Sequence, residues 1–256
     1  MNGLDVERVL GWLEEAGQML RGSLQEEREI SQKTGALDLV TDMDRRIEQF
    51  LVRNIREFYP GDRILGEEGT GDRVEDLAGR IWILDPIDGT MNFIKQKENF
   101  AVMIAVVEDG IGKCGFIYDV MRSRLVWGGP ETGVYYNGQP LPPLQDHELK
   151  DSLVAINWQM FADNVSNVKA LAWGSCGVRI QSCAGTEFIQ LLLGKQSVYV
   201  SKLAPWDYAA GRILCETAGI RCSTIKGEPL GWLEAVQGAF ATPRAYESAI
   251  RMLNEQ

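Results

Sequence analysis

The sequence predicts an α/β protein in which a mixed or antiparallel sheet is flanked by helices, and not a regular βαβ array. Two observations carry this. Six short strand signals crowd between positions 63 and 136, and stretches of helical periodicity lie before and after them. Near the end of that run, Asn137-Gly138 has the signature of a type I′ turn, which joins antiparallel neighbours.

The first helix is expected over 4–30, where Leu4, Val9, Leu10, Leu13, Leu20 and Leu24 repeat at helical spacing and the other face is acidic. Ser31 to Gly35 breaks it, and Leu37 to Val40 reads as a short strand. Thr41-Asp-Met-Asp44 opens a second helix to about Tyr59, with Ile47, Phe50, Leu51, Ile55 and Phe58 as its apolar stripe and Pro60-Gly61 as its stop. The strands follow at 63–65, 81–84, 100–107, 113–119, 124–127 and 133–136. Pro140 to Leu144 and the polar stretch to Lys150 mark an internal boundary, dividing one catalytic unit into halves 1–140 and 141–256. Beyond it, strands are expected at 151–157 and 197–200, helices at 185–194, 206–218 and 245–253, and extended chain from Gly219.

Composition narrows the function. At 256 residues, 45% of them hydrophobic and 24% charged, the chain is ordinary for a globular protein. Its longest apolar run, Phe100 to Val107, has eight residues, short of the roughly 18 that span a bilayer. Met1 to Glu7 has neither the basic nor the apolar region of a secretory signal, so the cytoplasm is the expected location. The five cysteines form no CxxC pair and are expected as reduced, buried thiols. The single histidine, His147, lies in a polar stretch, which weakens histidine zinc sites and Ser-His-Asp triads. A net charge of −10 argues against nucleic acid and anionic membranes as partners. An anionic small molecule stays compatible, because a bound divalent ion reverses the local sign.

The densest chemical signal is the segment Ile81 to Thr90, in which an apolar strand runs into Asp85-Pro-Ile-Asp88-Gly-Thr90. Two carboxylates brought together repel unless a cation separates them. No Lys or Arg lies between Arg80 and Lys95, so the segment points to a metal, and all-oxygen ligands select a hard ion such as Mg²⁺. Three further acidic clusters have ordinary readings of their own. Gly66-Glu67-Glu68-Gly69 reads as a solvated turn, Asp207 after Trp206 as a helix cap, and Thr41 to Asp44 as another cap.

In this order, Asp38-Leu-Val-Thr41 with Asp44, Gly66-Glu67-Glu68, Trp82 to Thr90, and Trp206-Asp207 followed by small residues through Gly211 resemble the inositol monophosphatase family. That family lies within the superfamily of Mg²⁺-dependent, Li⁺-sensitive sugar phosphatases. The resemblance runs from about Lys33 to Gly219 and implies a layered αβαβα fold and a homodimer. It implies that Glu67, Asp85 and the Ile87 carbonyl hold one Mg²⁺, and that Asp85, Asp88 and Asp207 hold a second. Glu67 would help hold a weaker third ion through water, and Mn²⁺ would substitute. The N-terminal half then carries most of the ligands, and the C-terminal half carries Asp207 and the substrate pocket.

Thr90 and Asp44 match the family's pair that orients and deprotonates the attacking water, and with Glu67 they are the catalytic candidates. Thr90 also reads as an N-cap for the following helix. Substrate contacts are implied for Asp88, for the amides of Gly89 and Thr90, for the backbone of Gly185-Thr186, and for Lys33 on a mobile loop. Where strongly inositol-preferring relatives carry a ring-binding glutamate, seven residues before the Trp-Asp aspartate, this chain has Val200, with Lys202 near the expected pocket rim. Inositol phosphate is therefore the leading substrate class, with NADP(H), fructose 1,6-bisphosphate or another sugar phosphate as the alternative. A 3′-phosphoadenosine 5′-phosphate phosphatase fits less well, because Met91-Asn-Phe93 replaces the Lys-Glu-Phe of those relatives. A glycosidase would also use paired carboxylates, and a catalytically silent regulator would keep only the fold.

Overall fold

The computed structural model describes residues 3–24, 30–32 and 39–255. From the N-terminus come helix α1 (Val6–Ser23), strands β1 (Ile30–Gln32) and β2 (Leu39–Thr41), helix α2 (Asp42–Phe58), strands β3 (Arg63–Gly66) and β4 (Arg80–Asp88), and the short helix α3 (Thr90–Lys95). Strands β5 (Ala101–Glu108), β6 (Ile111–Asp119), β7 (Arg124–Gly129), β8 (Gly133–Tyr136) and β9 (Gln139–Pro140) follow. The C-terminal half contains β10 (Leu153–Ile156), α4 (Trp158–Asp163), α5 (Val168–Trp173), β11 (Gly177–Arg179), α6 (Ala184–Leu192), β12 (Val198–Leu203), α7 (Pro205–Thr217), β13 (Arg221–Thr224), β14 (Val236–Ala241) and α8 (Pro243–Asn254).

Strands β3 to β9 form one sheet in chain order, antiparallel except for the parallel β3–β4 pair. The second sheet runs β11-β10-β12-β14-β13, with β10 parallel to both neighbours and β14 antiparallel to both of its own. Alternation along β4 shows how the layers form. Trp82 and Leu84 face α1 and α2, whereas Ile81 and Ile83 face α6 and α7. Helices α6 and α7 also bury the inner face of the second sheet through Tyr199 and Phe240, and α5 and α8 cover its outer face. The order is helices, sheet, helices, sheet, helices: the five-layer αβαβα architecture. Because the middle helix layer comes from the C-terminal half and packs on the N-terminal sheet, both halves share one core.

The first helix is shorter than periodicity suggests. It ends at Ser23, where Leu24 N–H turns back onto the Arg21 carbonyl, and Ile30 and Ser31 lie in β1. The expected break at Ser31 to Gly35 is thus partly strand. Its remainder, and Leu37 and Asp38 of the expected short strand, lie outside the described residues. Helices α4 and α5 and strand β11 were not expected. Each of the two helices has six residues, too few to show a period.

Candidate active site

The centre of the site is a strand defect. Asp85 pairs with Met103 and Asp88 with Ala101, so three steps on β4 face two on β5. In a regular strand, residues three apart point to opposite faces. The extra residue of this bulge restores the parity and sends both carboxylates to the side of α6 and α7, while Ile87 turns into the core beneath α2. Pro86 suits the bulge because it has no N–H to give to the ladder.

Two helix N-termini meet these aspartates. Asp88 accepts the Ala184 N–H at 3.0 Å, the Gly185 N–H at 2.5 Å and the Cys183 thiol at 3.0 Å, so the start of α6 holds it. Asp207 lies in the first turn of α7, where its Oδ2 accepts the Ala204 N–H at 2.7 Å. Asp207 is therefore not the N-cap, which is Ala204, but the third helical residue, and its carboxylate satisfies the N-cap N–H from within the cluster. Carboxylate oxygens of Asp85, Asp88 and Asp207 lie within 4.8 Å of one another.

Asp85 also lies within hydrogen-bonding reach of Glu67. Burial, and after it the charges of Glu67, Asp88 and Asp207, push the Asp85 carboxyl well above the usual carboxylate range. Burial raises Asp88 as well, against the pull of the Cys183 thiol and the two amides. Asp207 is raised strongly, by burial and then by Asp88. Buried Asp85 Oδ1 has no hydrogen-bond partner. A buried polar atom left unpaired costs about 1–3 kcal/mol, more for a charged group. An all-oxygen set with an orphaned acceptor at its centre suits a hard divalent cation, and Glu67, Asp85, Asp88 and Asp207 are the side chains that would hold it.

Thr90 Oγ1 lies 3.0 Å from Asp44 Oδ1 on α2 and 3.1 Å from the Ile87 carbonyl. Asp44 is fully buried and is the third residue of α2. Thr90 is not the N-cap of α3: that position is Gly89, at φ 86°, and Thr90 is the first helical residue. At φ 86° the chain is in the left-handed region that glycine adopts without strain.

Several expected contacts fall elsewhere. The Gly185 amide is occupied by Asp88, and Thr186 is fully buried with its hydroxyl donating to the Cys183 carbonyl. Lys33 lies outside the described residues. Val200 is a correction: it is fully buried on the outer face of the second sheet, among Val154, Ile156, Val198 and Ala239. A one-residue difference on a strand reverses the face, and it is Tyr199 and Ser201 that line the cleft beside Asp88 and Asp207. A glutamate at position 200 would carry its charge into an apolar layer and not to a substrate.

That cleft has a volume of about 180 Å³. Glu187 lines it, with a carboxyl that burial raises from 4.5 to about 6 although Gln196 and the Gln181 N–H oppose the shift. Trp158, 44% exposed, and Lys202 line it further out. Sequence reasoning missed Cys183 and Glu187. It also missed Asn92, whose Nδ2 donates to the Asn99 and Gln181 carbonyls and ties α3 to the approach of α6. None of the three has a local sequence signal, because each acts across at least six residues of chain.

Carboxylates thus gather between a strand end and two helix N-termini, within five αβαβα layers. Residues 6–256 match the inositol monophosphatase family. The inositol-1-monophosphatase of Bacillus subtilis (strain 168) is 40% identical over 228 residues, 87% of this chain and 86% of its own length. Inositol monophosphatase-II from Staphylococcus aureus MSSA476 has a crystal structure that matches with a TM-score of 0.85 at 30% identity, over 96% of this chain and 91% of its own. An IMPase/NADP phosphatase solved with Mg²⁺ and phosphate has the same fold, with a TM-score of 0.88 at 23% identity over 97% and 94%. The chain belongs to the inositol monophosphatase family, and its enzyme class is phosphoric monoester hydrolase.

Proposed function

We propose that this protein hydrolyses an inositol monophosphate with Mg²⁺ held by Glu67, Asp85, the Ile87 carbonyl, Asp88 and Asp207. The observation that carries the reading is the trio of buried Asp85 and Asp88 with half-buried Asp207, within 4.8 Å and beside the Thr90–Asp44 pair. Two ions, or three with Glu67 acting through water, fit this number of carboxylates, and Mn²⁺ is the expected substitute. When bound, such ions neutralise the phosphate dianion and lower the pKa of bound water.

The chain's own residues do the rest. Thr90 can donate its hydroxyl proton to Asp44, which leaves an oxygen lone pair to orient a water and take its proton. Amides at Gly89 and Thr90 are candidates to receive phosphate oxygens. Gly185 and Thr186 serve by holding Asp88 and its helix start, and Lys33 is proposed as a phosphate-side cation. At the leaving-group end, Glu187 and Ser201 offer acceptors to polyol hydroxyls in the role first sought at Val200.

A second reading, a larger leaving group such as a nucleotide, is favoured by one observation. Trp158 presents an exposed ring at the cleft, where Lys202 is the one cation among the described lining residues. Phosphate release should be measured over inositol-1-phosphate, NADP, fructose 1,6-bisphosphate and 3′-phosphoadenosine 5′-phosphate, with and without Mg²⁺, Li⁺ and EDTA. Turnover of inositol-1-phosphate that EDTA abolishes and Li⁺ inhibits supports the first reading, and turnover that survives chelation rejects the metal mechanism. A preference for NADP would favour the second reading.

A cytoplasmic homodimer completes the proposal. No helix among the described residues is long and apolar enough to cross a membrane. Sedimentation equilibrium that returns the monomer mass would reject the dimer.

A further inference from the structure

One buried acid takes no part in that mechanism. Glu48 is fully buried on α2, one helical turn after Asp44. Its Oε2 accepts the Glu68 N–H at 2.7 Å, and its Oε1 accepts the Thr70 N–H at 2.8 Å and the Thr70 hydroxyl at 2.7 Å. The turn that presents Glu67 is therefore wrapped around a carboxylate. Gly66 completes the wrap: a Cβ there would meet Glu48 Cδ and Oε2 at 2.5 Å, so a larger residue would displace the carboxylate from the turn. At the start of the turn, Glu67 N–H donates to the Leu84 carbonyl at 3.3 Å, which ties it to β4 one residue before Asp85. Glu67 is thus held from both sides, by the strand that carries Asp85 and by the helix that carries Asp44.

We infer that Glu48 is the positioning residue that aims Glu67 at Asp85 and so sets the affinity of the carboxylate cluster for a divalent cation. The inference rests on the metal reading above. Its physical basis is that a ligand on a turn is free to rotate away unless groups behind it hold the turn. Groups behind the ligands of a metal site typically change its affinity about 10–100-fold when removed. Helix α2 then organises both sides of the reaction centre, through Asp44 to Thr90 and through Glu48 to Glu67.

The test is calorimetric titration of the full chain with Mg²⁺, for wild type and Glu48→Gln. The amide would point a donor at N–H groups that need an acceptor. The expected result is a Mg²⁺ dissociation constant raised about 10–100-fold, with the metal-free circular dichroism spectrum kept and kcat largely restored at saturating Mg²⁺. Unchanged affinity overturns the inference, as does a loss of kcat that saturating Mg²⁺ does not restore. If Glu48→Gln does not fold, Thr70→Val removes one donor and carries the same test: weaker Mg²⁺ binding supports the inference and equal binding overturns it. Calorimetry needs no turnover, so the two failures separate. A wild type that binds no Mg²⁺ overturns the metal reading and this inference together, whereas wild-type binding matched by the variant overturns this inference alone.

Discussion

Two carboxylate environments in the protein, at Asp119 and at the Asp85 cluster, differ in one respect. Asp119, at the end of β6, is fully buried but faces a cation: Arg124 reaches it with Nε at 3.0 Å and with a terminal nitrogen, and the Arg122 N–H donates at 3.2 Å. Asp85, Asp88 and Asp207 are gathered with no Arg or Lys ion pair among the described residues, and Asp85 keeps an orphaned oxygen. The first kind is complete within the chain. The second is an all-oxygen set whose chemistry suits a hard divalent cation. Burial alone does not mark a functional acid; burial with like charges and an unused acceptor does.

Substitutions on each side test this contrast. Asp88→Asn is expected to abolish phosphate release while leaving the circular dichroism spectrum intact, and near-normal turnover would dissolve the distinction. Thr90→Ala should lower kcat roughly 10²–10⁴-fold with little change in Mg²⁺ affinity by calorimetry. The reverse pattern would make Thr90 a structural residue. Asp119→Ala should do the opposite, costing about 3–5 kcal/mol in urea unfolding by stranding Arg124, with kcat per folded molecule unchanged.

A subtler test uses pH. The carboxyls of Asp85, Asp88 and Asp207 are raised in the folded chain, so folding favours their protonated forms. The metal-free protein should therefore be most stable below the unfolded carboxylate range of about 4 and should lose stability as pH rises through the folded values. Saturating Mg²⁺ should flatten that decline; a metal-free thermal midpoint that climbs from pH 4 to 7 would contradict the account. Glu187 contributes in the same sense. Its rise from 4.5 to about 6 corresponds to about 2 kcal/mol lost between those pH values, and Glu187→Gln should remove that part of the slope in thermal denaturation.

Much of the site was legible before any coordinates. Asp85, Asp88, Glu67 and Asp207 are separated in the chain yet converge, and Thr90 meets Asp44 across 46 positions. The strand ending in acids and a glycine was a local signal in its own right, whereas Glu67 and Asp207 joined it only through the ordered resemblance to a family. The errors share one cause. Val200 and the Thr90 cap each depended on which way the chain and its side chains turn, and a single residue of register decides that.

The sequence by itself determined that an acidic strand end can bind a hard cation and where most strands and the long helices fall, and its ordered motifs carried the resemblance that implied the reaction class. The first two are properties of residue type and short-range periodicity. Only the tertiary structure decided that one extra residue in β4 turns Asp85 and Asp88 to the same side, that the start of α6 holds Asp88, and that Glu48 sits behind Glu67. The physical reason is that side-chain direction and hydrogen-bond partnership are set where elements distant in sequence pack together. The same packing carries Val200 away from the cleft and brings Glu187 to it.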